Sequence, residues 1–146
     1  MAGSFEDWRA ICETKARYCR CMDSKDWAGW ADCFTDDLVL DTTPAGGYRI
    51  EGREAAIAKV RGSIDQAKTA HQVHNPEVSF VGPDEAEVIW AMNDRVEMAP
   101  DKQSPQYGGH TGYGHYREKY VRCDDGQWRI KATTLSYLHF DGHGVG

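Results

Sequence analysis

The sequence predicts an α+β fold with helices first and strands last, and three observations carry that expectation. Apolar residues recur at helical spacing in three separate stretches of the N-terminal half. The C-terminal half then turns to strand-like composition, broken by the turn sequences Gly82-Pro83-Asp84 and Asp124-Asp125-Gly126. Helices followed by consecutive strands cannot interleave into parallel βαβ units, so the helices are expected to pack against one face of a curved antiparallel sheet.

The first helix covers residues 5–22. Phe5, Trp8, Cys12, Cys19 and Met22 fall near the three-and-four spacing of one face, and Ser4 is available as its N-cap. A second, shorter helix begins after Asp26, because Trp27, Trp30 and Phe34 share one stripe. Leu38 and Leu40 alternate with polar neighbours, and Pro44, Ala45, Gly46 and Gly47 supply a turn before a short extended run at 48–50, which reads as a small hairpin. Helical period returns from Arg53 through Ala56, Ile57, Val60, Ile64 and Ala67, giving a third helix that ends near Thr69. Four strands follow at about 72–81, 86–98, 111–123 and 127–140, forming an antiparallel meander. The Gly/His-rich tail after Phe140 is expected to be mobile or to fold over a pocket mouth. No linker or repeat divides residues 1–146, which read as a single domain.

Composition narrows the function classes. Apolar residues make up 40% of the chain and charged residues 27%, which argues for a globular protein and against disorder. No apolar run is long enough to span a bilayer. The formal charge of −6, with no Lys/Arg cluster, argues against a grip on nucleic acid or an anionic membrane and favours a small, weakly charged partner. The first residues lack the basic start and uniform apolar run of a signal peptide, so the expected location is the cytoplasm. The cysteines Cys12, Cys19, Cys21, Cys33 and Cys123 are odd in number and lack CxxC pairing, so they read as reduced thiols. His71-x-x-His74, followed by His110, His115, His139 and His143, invites a metal site. None is expected, because residues three apart in an extended chain point to opposite faces and no third ligand has diagnostic spacing.

Five segments together resemble one family. The stretch from Arg17-Tyr18 through Asp23 to Asp26-Trp27, continued by Cys33-Phe34-Thr35-Asp36-Asp37, is similar to the opening of SnoaL-like domains in the NTF2-like superfamily. Ile50-Glu51-Gly52-Arg53-Glu54-Ala55, His71-Gln72-Val73-His74-Asn75-Pro76 and Asp125-Gly126-Gln127-Trp128-Arg129-Ile130 follow in the family's order. The resemblance implies a cone-shaped, half-open α+β barrel with an internal pocket, and association into homodimers or trimers. Fold alone does not set function, because the superfamily includes dehydratases, isomerases, dehydrochlorinases, cyclases and binding modules. A group resembling scytalone dehydratase, bile acid dehydratase and hexachlorocyclohexane dehydrochlorinase places an Asp near the end of the first helix and a His at the start of the strand after the third. Asp23 and His74 take those places by resemblance, with Tyr18 and Asp94 completing the set.

The chemistry of such a set is coherent. A neutral imidazole removes a proton from carbon near neutral pH, and a carboxylate on its other nitrogen fixes the tautomer and stabilises the imidazolium. His74 is the expected base and Asp23 its orienter. The Tyr18 phenol would stabilise an enolate oxygen or protonate a departing hydroxyl. Asp94 shares the phase of Trp90 and Met92 and would face a cavity with them, unless it pairs with Arg95 or Arg117. Asp23 could equally be a turn residue, His74 a strand-edge histidine and Tyr18 a core tyrosine. Trp90, Met92, His71, Tyr116 and Tyr48 are the candidate substrate walls. The expected function is a cofactor-independent lyase, of dehydratase type or releasing formaldehyde, acting on a hydrophobic cyclic or aromatic small molecule. The alternatives are an isomerase or cyclase using the same base, and a non-catalytic binding or interaction module.

Overall fold

The computed structural model describes residues 3–145. Helices α1 (Phe5–Ser24), α2 (Trp27–Ala31) and α3 (Arg53–Ile64) pack against a sheet of strands β1 (Phe34–Asp41), β2 (Arg49–Glu51), β3 (Lys68–Gly82), β4 (Glu85–Glu97), β5 (Gly109–Arg122) and β6 (Trp128–His143). The spatial order is β2-β1-β6-β5-β4-β3, an open, cone-like sheet. Strands β3 to β6 form the expected antiparallel meander, but β1 lies parallel to β6, so the sheet is mixed. The chain reaches β6 through a helical crossover and the meander, and no hairpin fixes its direction against β1. Among the described residues, no helix is long and apolar enough to cross a membrane.

Local chemistry explains the helix starts. The Ser4 hydroxyl accepts from the Asp7 N–H while the Asp7 carboxylate accepts from the Ser4 N–H, a reciprocal capping box. The Asp26 side chain caps α2 by accepting from the Gly29 N–H. The buried stripe of α1 is Ile11, Thr14, Lys15, Tyr18, Cys19 and Met22; Phe5 and Trp8, expected on that stripe, stack on each other at the surface. Helix α3 ends at Ile64 rather than near Thr69. The Trp27 indole donates to Asp65 at 2.6 Å just past its last turn, and the β-branched Thr69 already belongs to β3. The tail after Phe140, expected to be mobile, instead prolongs β6, with the Gly108 N–H donating to the His143 carbonyl and the Val145 N–H to Ser104.

A polar network runs through the core between α1 and the sheet. Lys15 and Glu118 are both fully buried, with Nζ 2.5 Å from Oε1, and Thr133 and Tyr120 donate to the same carboxylate. The Lys15 ammonium also sits 3.5 Å from the centre of the Tyr18 ring and 3.6 Å from that of Tyr116. A charge left alone in such surroundings is far costlier than a neutral replacement of the pair. Lys15→Met is therefore expected to destabilise the fold by about 3–5 kcal/mol, and Lys15→Met/Glu118→Gln to recover a large part of that loss, both read from urea unfolding.

Asp7 ties the start of α1 to the sheet, accepting from the Trp128 indole at 3.1 Å and pairing with Arg122 at 2.8 Å. The Ser4 N–H, opposed by burial and helped by Trp128, the Ser4 hydroxyl and Arg122, holds its carboxyl at about 2 against an ordinary 3.8. A depressed folded-state value gives stability that is complete above the unfolded value and lost as pH falls through the folded one. Unfolding midpoints measured from pH 5 downward should therefore drop between about 4 and about 2, and Asp7→Asn should flatten that part of the curve.

Candidate active site

Asp23 stands at the end of α1, where Lys25 turns the chain with φ 63° and its N–H caps the helix through Met22 and Cys21. That turn points the carboxylate at the first residues of β3. Asp23 Oδ1 lies 2.7 Å from His71 Nδ1, Oδ2 accepts from the His71 N–H at 2.8 Å, and the Thr69 hydroxyl donates to Oδ1 at 2.9 Å. Lys25 Nζ donates to the same Thr69 oxygen. Burial alone would raise the Asp23 pKa, but the His71 ring, its backbone N–H and Thr69 together bring it below the ordinary value. With Nδ1 engaged by an anion, the neutral ring carries its proton there and leaves the Nε2 lone pair free.

Asp23 therefore pairs with His71 and not with His74, the expected base. His74 is exposed on the outer face of β3, in register with Ala91. The reason is a bulge. Thr69, His71 and Val73 face the helices, the ladder shifts between His74 and Glu77 with Asn75 at φ 50°, and Pro76, Val78 and Phe80 then face inward. Alternation extended backward from Val78 and Phe80 would place His74 inside; the inserted residue reverses it. His71 and His74 project from opposite faces and cannot share a metal ion.

His71 lines a cavity of about 180 Å³ that also reaches Tyr18, Asp94, Tyr116 and Tyr48. Trp30 and Leu135 contribute apolar wall, and Val60 and Ile64 of α3 complete it. Burial first, with the Glu118 charge second, pushes the Tyr18 phenol well above its usual pKa, so it keeps its proton. Asp94 sits directly across the ladder from His71, almost fully buried. It takes neither Arg95 nor Arg117 as partner; the Tyr137 hydroxyl donates to its Oδ2 at 2.5 Å, and His110 Nε2 lies 3.6 Å away. Trp90 and Met92, expected as substrate walls, are packed in the core, where the Trp90 indole donates to the Tyr120 hydroxyl. They share the Asp94 phase but stand four and two residues before it on β4, packed with the core cluster.

His110 and Tyr137 belong to this cluster and were not expected there. His110 Nδ1 is 2.6 Å from the Tyr107 hydroxyl, and its ring lies 4.5 Å from Phe140. The Gly/Tyr-rich segment of β5 held the signal. A Cβ on Gly112 would meet the Tyr137 ring at 2.6 Å, so the glycine at that position lets Tyr137 reach Asp94.

The Asp23 to His71 contact makes a tautomer prediction. Nitrogen-15 NMR at neutral pH should show the His71 proton on Nδ1 in the neutral ring, and Asp23→Asn should lose this preference, while the His74 signals stay unchanged.

Comparisons with known proteins identify the family. A sequence model of the SnoaL-like domain matches residues 3–134. A Gibberella zeae protein provisionally named the cyclase FGR4 is 27% identical, over 96% of this chain and 97% of its own. A crystal structure from Novosphingobium aromaticivorans, provisionally named a scytalone dehydratase, superposes with a TM-score of 0.80 at 25% identity, covering 95% of this chain and 89% of that one. Hexachlorocyclohexane dehydrochlorinase LinA-type3 from Novosphingobium barchaimii LL02 shares the fold, with a TM-score of 0.76 at 19% identity, over 94% and 93% of the two chains. The match runs from before α1 into β6 and takes in every residue of the Asp23 and His71 contact: the chain belongs to the SnoaL-like domain family, with the NTF2-like fold.

Proposed function

We propose that this chain is a cofactor-independent lyase that removes a carbon-bound proton from a small cyclic or aromatic substrate and expels a hydroxyl group, or removes the O–H proton of a hydroxymethyl group so that formaldehyde leaves and the C–C electron pair stays on the substrate carbon to be protonated. One observation carries the reading: an imidazole inside an apolar cavity with its Nδ1 held 2.7 Å from a carboxylate and Nε2 free. His71 Nε2 takes the proton as the C–H bond breaks, and Asp23 stabilises the imidazolium that results. In a dehydration the electron pair forms the new C=C bond and the C–O bond breaks. The Tyr18 phenol supports the charge on oxygen, and the hydroxide leaves as water with a proton from the imidazolium. Asp94, Tyr116 and Tyr48 hold the substrate. The chemistry uses side-chain groups alone. Relatives named as a dehydratase and a dehydrochlorinase support an elimination, while the relative named as a cyclase supports a second reading, in which the same base returns its proton to the substrate.

The test is a panel of hydroxylated cyclic and aromatic compounds incubated with the protein in D₂O. Loss of water or formaldehyde from the substrate supports the lyase, and deuterium incorporation with an unchanged formula supports an isomerase or cyclase. His71→Ala should lower kcat/KM on the order of a hundred- to ten-thousand-fold, with His74→Ala within about threefold of the parent. Saturable binding with neither exchange nor product would replace both readings with a binding module.

A further inference from the structure

The cavity walls carry two pairings of a carboxylate with an imidazole, and the chemistry given above uses one of them. Beside His71, held by Asp23, stand Asp94 and His110. His110 faces inward by the alternation of β5, in the phase of Gly112 and the buried Tyr116, with Val96 opposite it on β4. Its ring is anchored on one side, where Nδ1 lies 2.6 Å from the Tyr107 hydroxyl and the ring centre 4.5 Å from that of Phe140. The other nitrogen, Nε2, lies 3.4 Å from the Tyr137 hydroxyl and 3.6 Å from Asp94 Oδ2. Both distances exceed the usual N–H···O range of about 2.7–3.2 Å. Nε2 is therefore placed by these groups without being closed off by a short bond.

Register sets the two imidazoles apart across Asp94. His71 is on β3 and His110 on β5, with β4 between them, and His110 stands one inward-facing row beyond Asp94. Two strand spacings of about 4.8 Å and two residues of about 3.3 Å along the strands separate their Cα atoms by about 12 Å. A substituted ring hydrogen-bonded at both ends bridges an interval of that order. The His110 side chain also keeps 12% of its surface exposed, which lets the ring exchange its proton with solvent.

We propose that His110 is a second catalytic histidine, a proton donor to the substrate atom that lies away from His71, with Asp94 as the counter-charge of its imidazolium. The proposal rests on the reading of His71 as the base. It adds a donor to the His71 imidazolium, which returns its proton only to an atom within its own reach. In a dehydration, the departing oxygen takes the Nε2 proton of His110 as the C–O bond breaks, and it leaves as water. The carbon-bound proton stays on His71 until solvent removes it, and solvent returns one proton to His110. In a formaldehyde release, His71 takes the hydroxymethyl O–H proton, and the carbon that keeps the C–C electron pair takes its proton from His110. Tyr107 is a positioning residue, acting through the His110 ring.

Two probes that share one C–H bond to break but differ in the basicity of the leaving oxygen give the test: 1,2-benzisoxazole and 5-nitro-1,2-benzisoxazole. Removal of the proton on C3 forms a nitrile as the N–O bond breaks and a phenolate oxygen is released. The nitro group stabilises that phenolate unaided, whereas the unsubstituted one gains from a proton donor. His110→Gln and His110→Phe should lower kcat/KM on the order of a hundredfold for 1,2-benzisoxazole and leave the nitro compound within about threefold of the parent. Asp94→Asn should shift the two probes unequally in the same direction, and His71→Ala should lower both alike. The ratio between probes is independent of the fraction of folded protein, so a variant that only loses structure lowers both equally. Equal losses for the two probes in the His110 variants, or no loss for either, would overturn the proposal and leave the His71 base standing. Absence of ring opening, or ring opening that survives His71→Ala, would overturn both together.

Discussion

An ammonium group buried on α1 has to be neutralised by whatever lies opposite, and that requirement fixes the molecule. Lys15 meets Glu118 on β5, and the rings of Tyr18 and Tyr116 close over its charge. The pair sets both the rotation and the height of α1 against the sheet. Tyr18 lies three residues on and Met22 seven, so both share the Lys15 face and reach the cavity. Asp23 comes at the last turn, where the helix has carried it beside the first residues of β3. A displacement of α1 along its axis by one turn, about 5.4 Å, would strand the Lys15 charge and pull Asp23 away from His71 together. The energetic core and the site are thus one constraint expressed at two points along a helix.

The sheet supplies the second coordinate. Cross-strand neighbours on one face bring their Cβ atoms within about 5.5 Å, and the ladder places His71 opposite Asp94, with Gly112 next in the row. A row that begins with an imidazole and a carboxylate would ordinarily collapse into a pair. It does not, because each acidic group has a partner from another element. Asp23 reaches His71 from α1, and Tyr137 reaches Asp94 from β6 across the gap left by Gly112. The space between the two pairs remains open as cavity. Glycine at 112 is therefore as much a part of the site as the titratable groups.

Much of this was legible in the sequence, and the missing parts share a cause. The cap at Ser4, the buried Trp27 and Trp30 of α2 and the meander follow from local periodicity and turn chemistry and appear as expected, whereas Phe34, expected on the same helical stripe, opens β1 because α2 ends at Ala31. The inward phase of Asp94 follows from Trp90 and Met92 by strict alternation along β4. His74 failed the same rule because Asn75 adopts a left-handed conformation and shifts the β3 ladder by one residue. The Asn75-Pro76 pair was the available signal, since Asn tolerates that conformation and Pro interrupts a ladder. The Tyr137 and His110 cluster depends on the register of β5 against β6 and on a second irregularity between Tyr113 and Gly114. Neither register nor the parallel pairing of β1 with β6 is encoded in any short segment, so spacing along the chain could not reveal them.

The two cavity aspartates differ in a way that residue type alone does not disclose. Asp23 spends both oxygens on β3, one on the His71 ring and Thr69, the other on a backbone N–H, and its pKa is lowered accordingly. A carboxylate so occupied orients its neighbours and has nothing left for a ligand. Asp94 has one oxygen committed to Tyr137 and one without a partner. Environment, then, divides labour between two identical side chains, as it does wherever paired carboxyl groups serve different roles. One end of the cavity is closed chemistry, held ready around a nitrogen. The other keeps one carboxylate oxygen without a hydrogen-bond donor. A pocket with both ends satisfied would be a core, and a pocket with neither satisfied would cost the fold too much stability. The asymmetry sets this cavity apart from the packed core beside it.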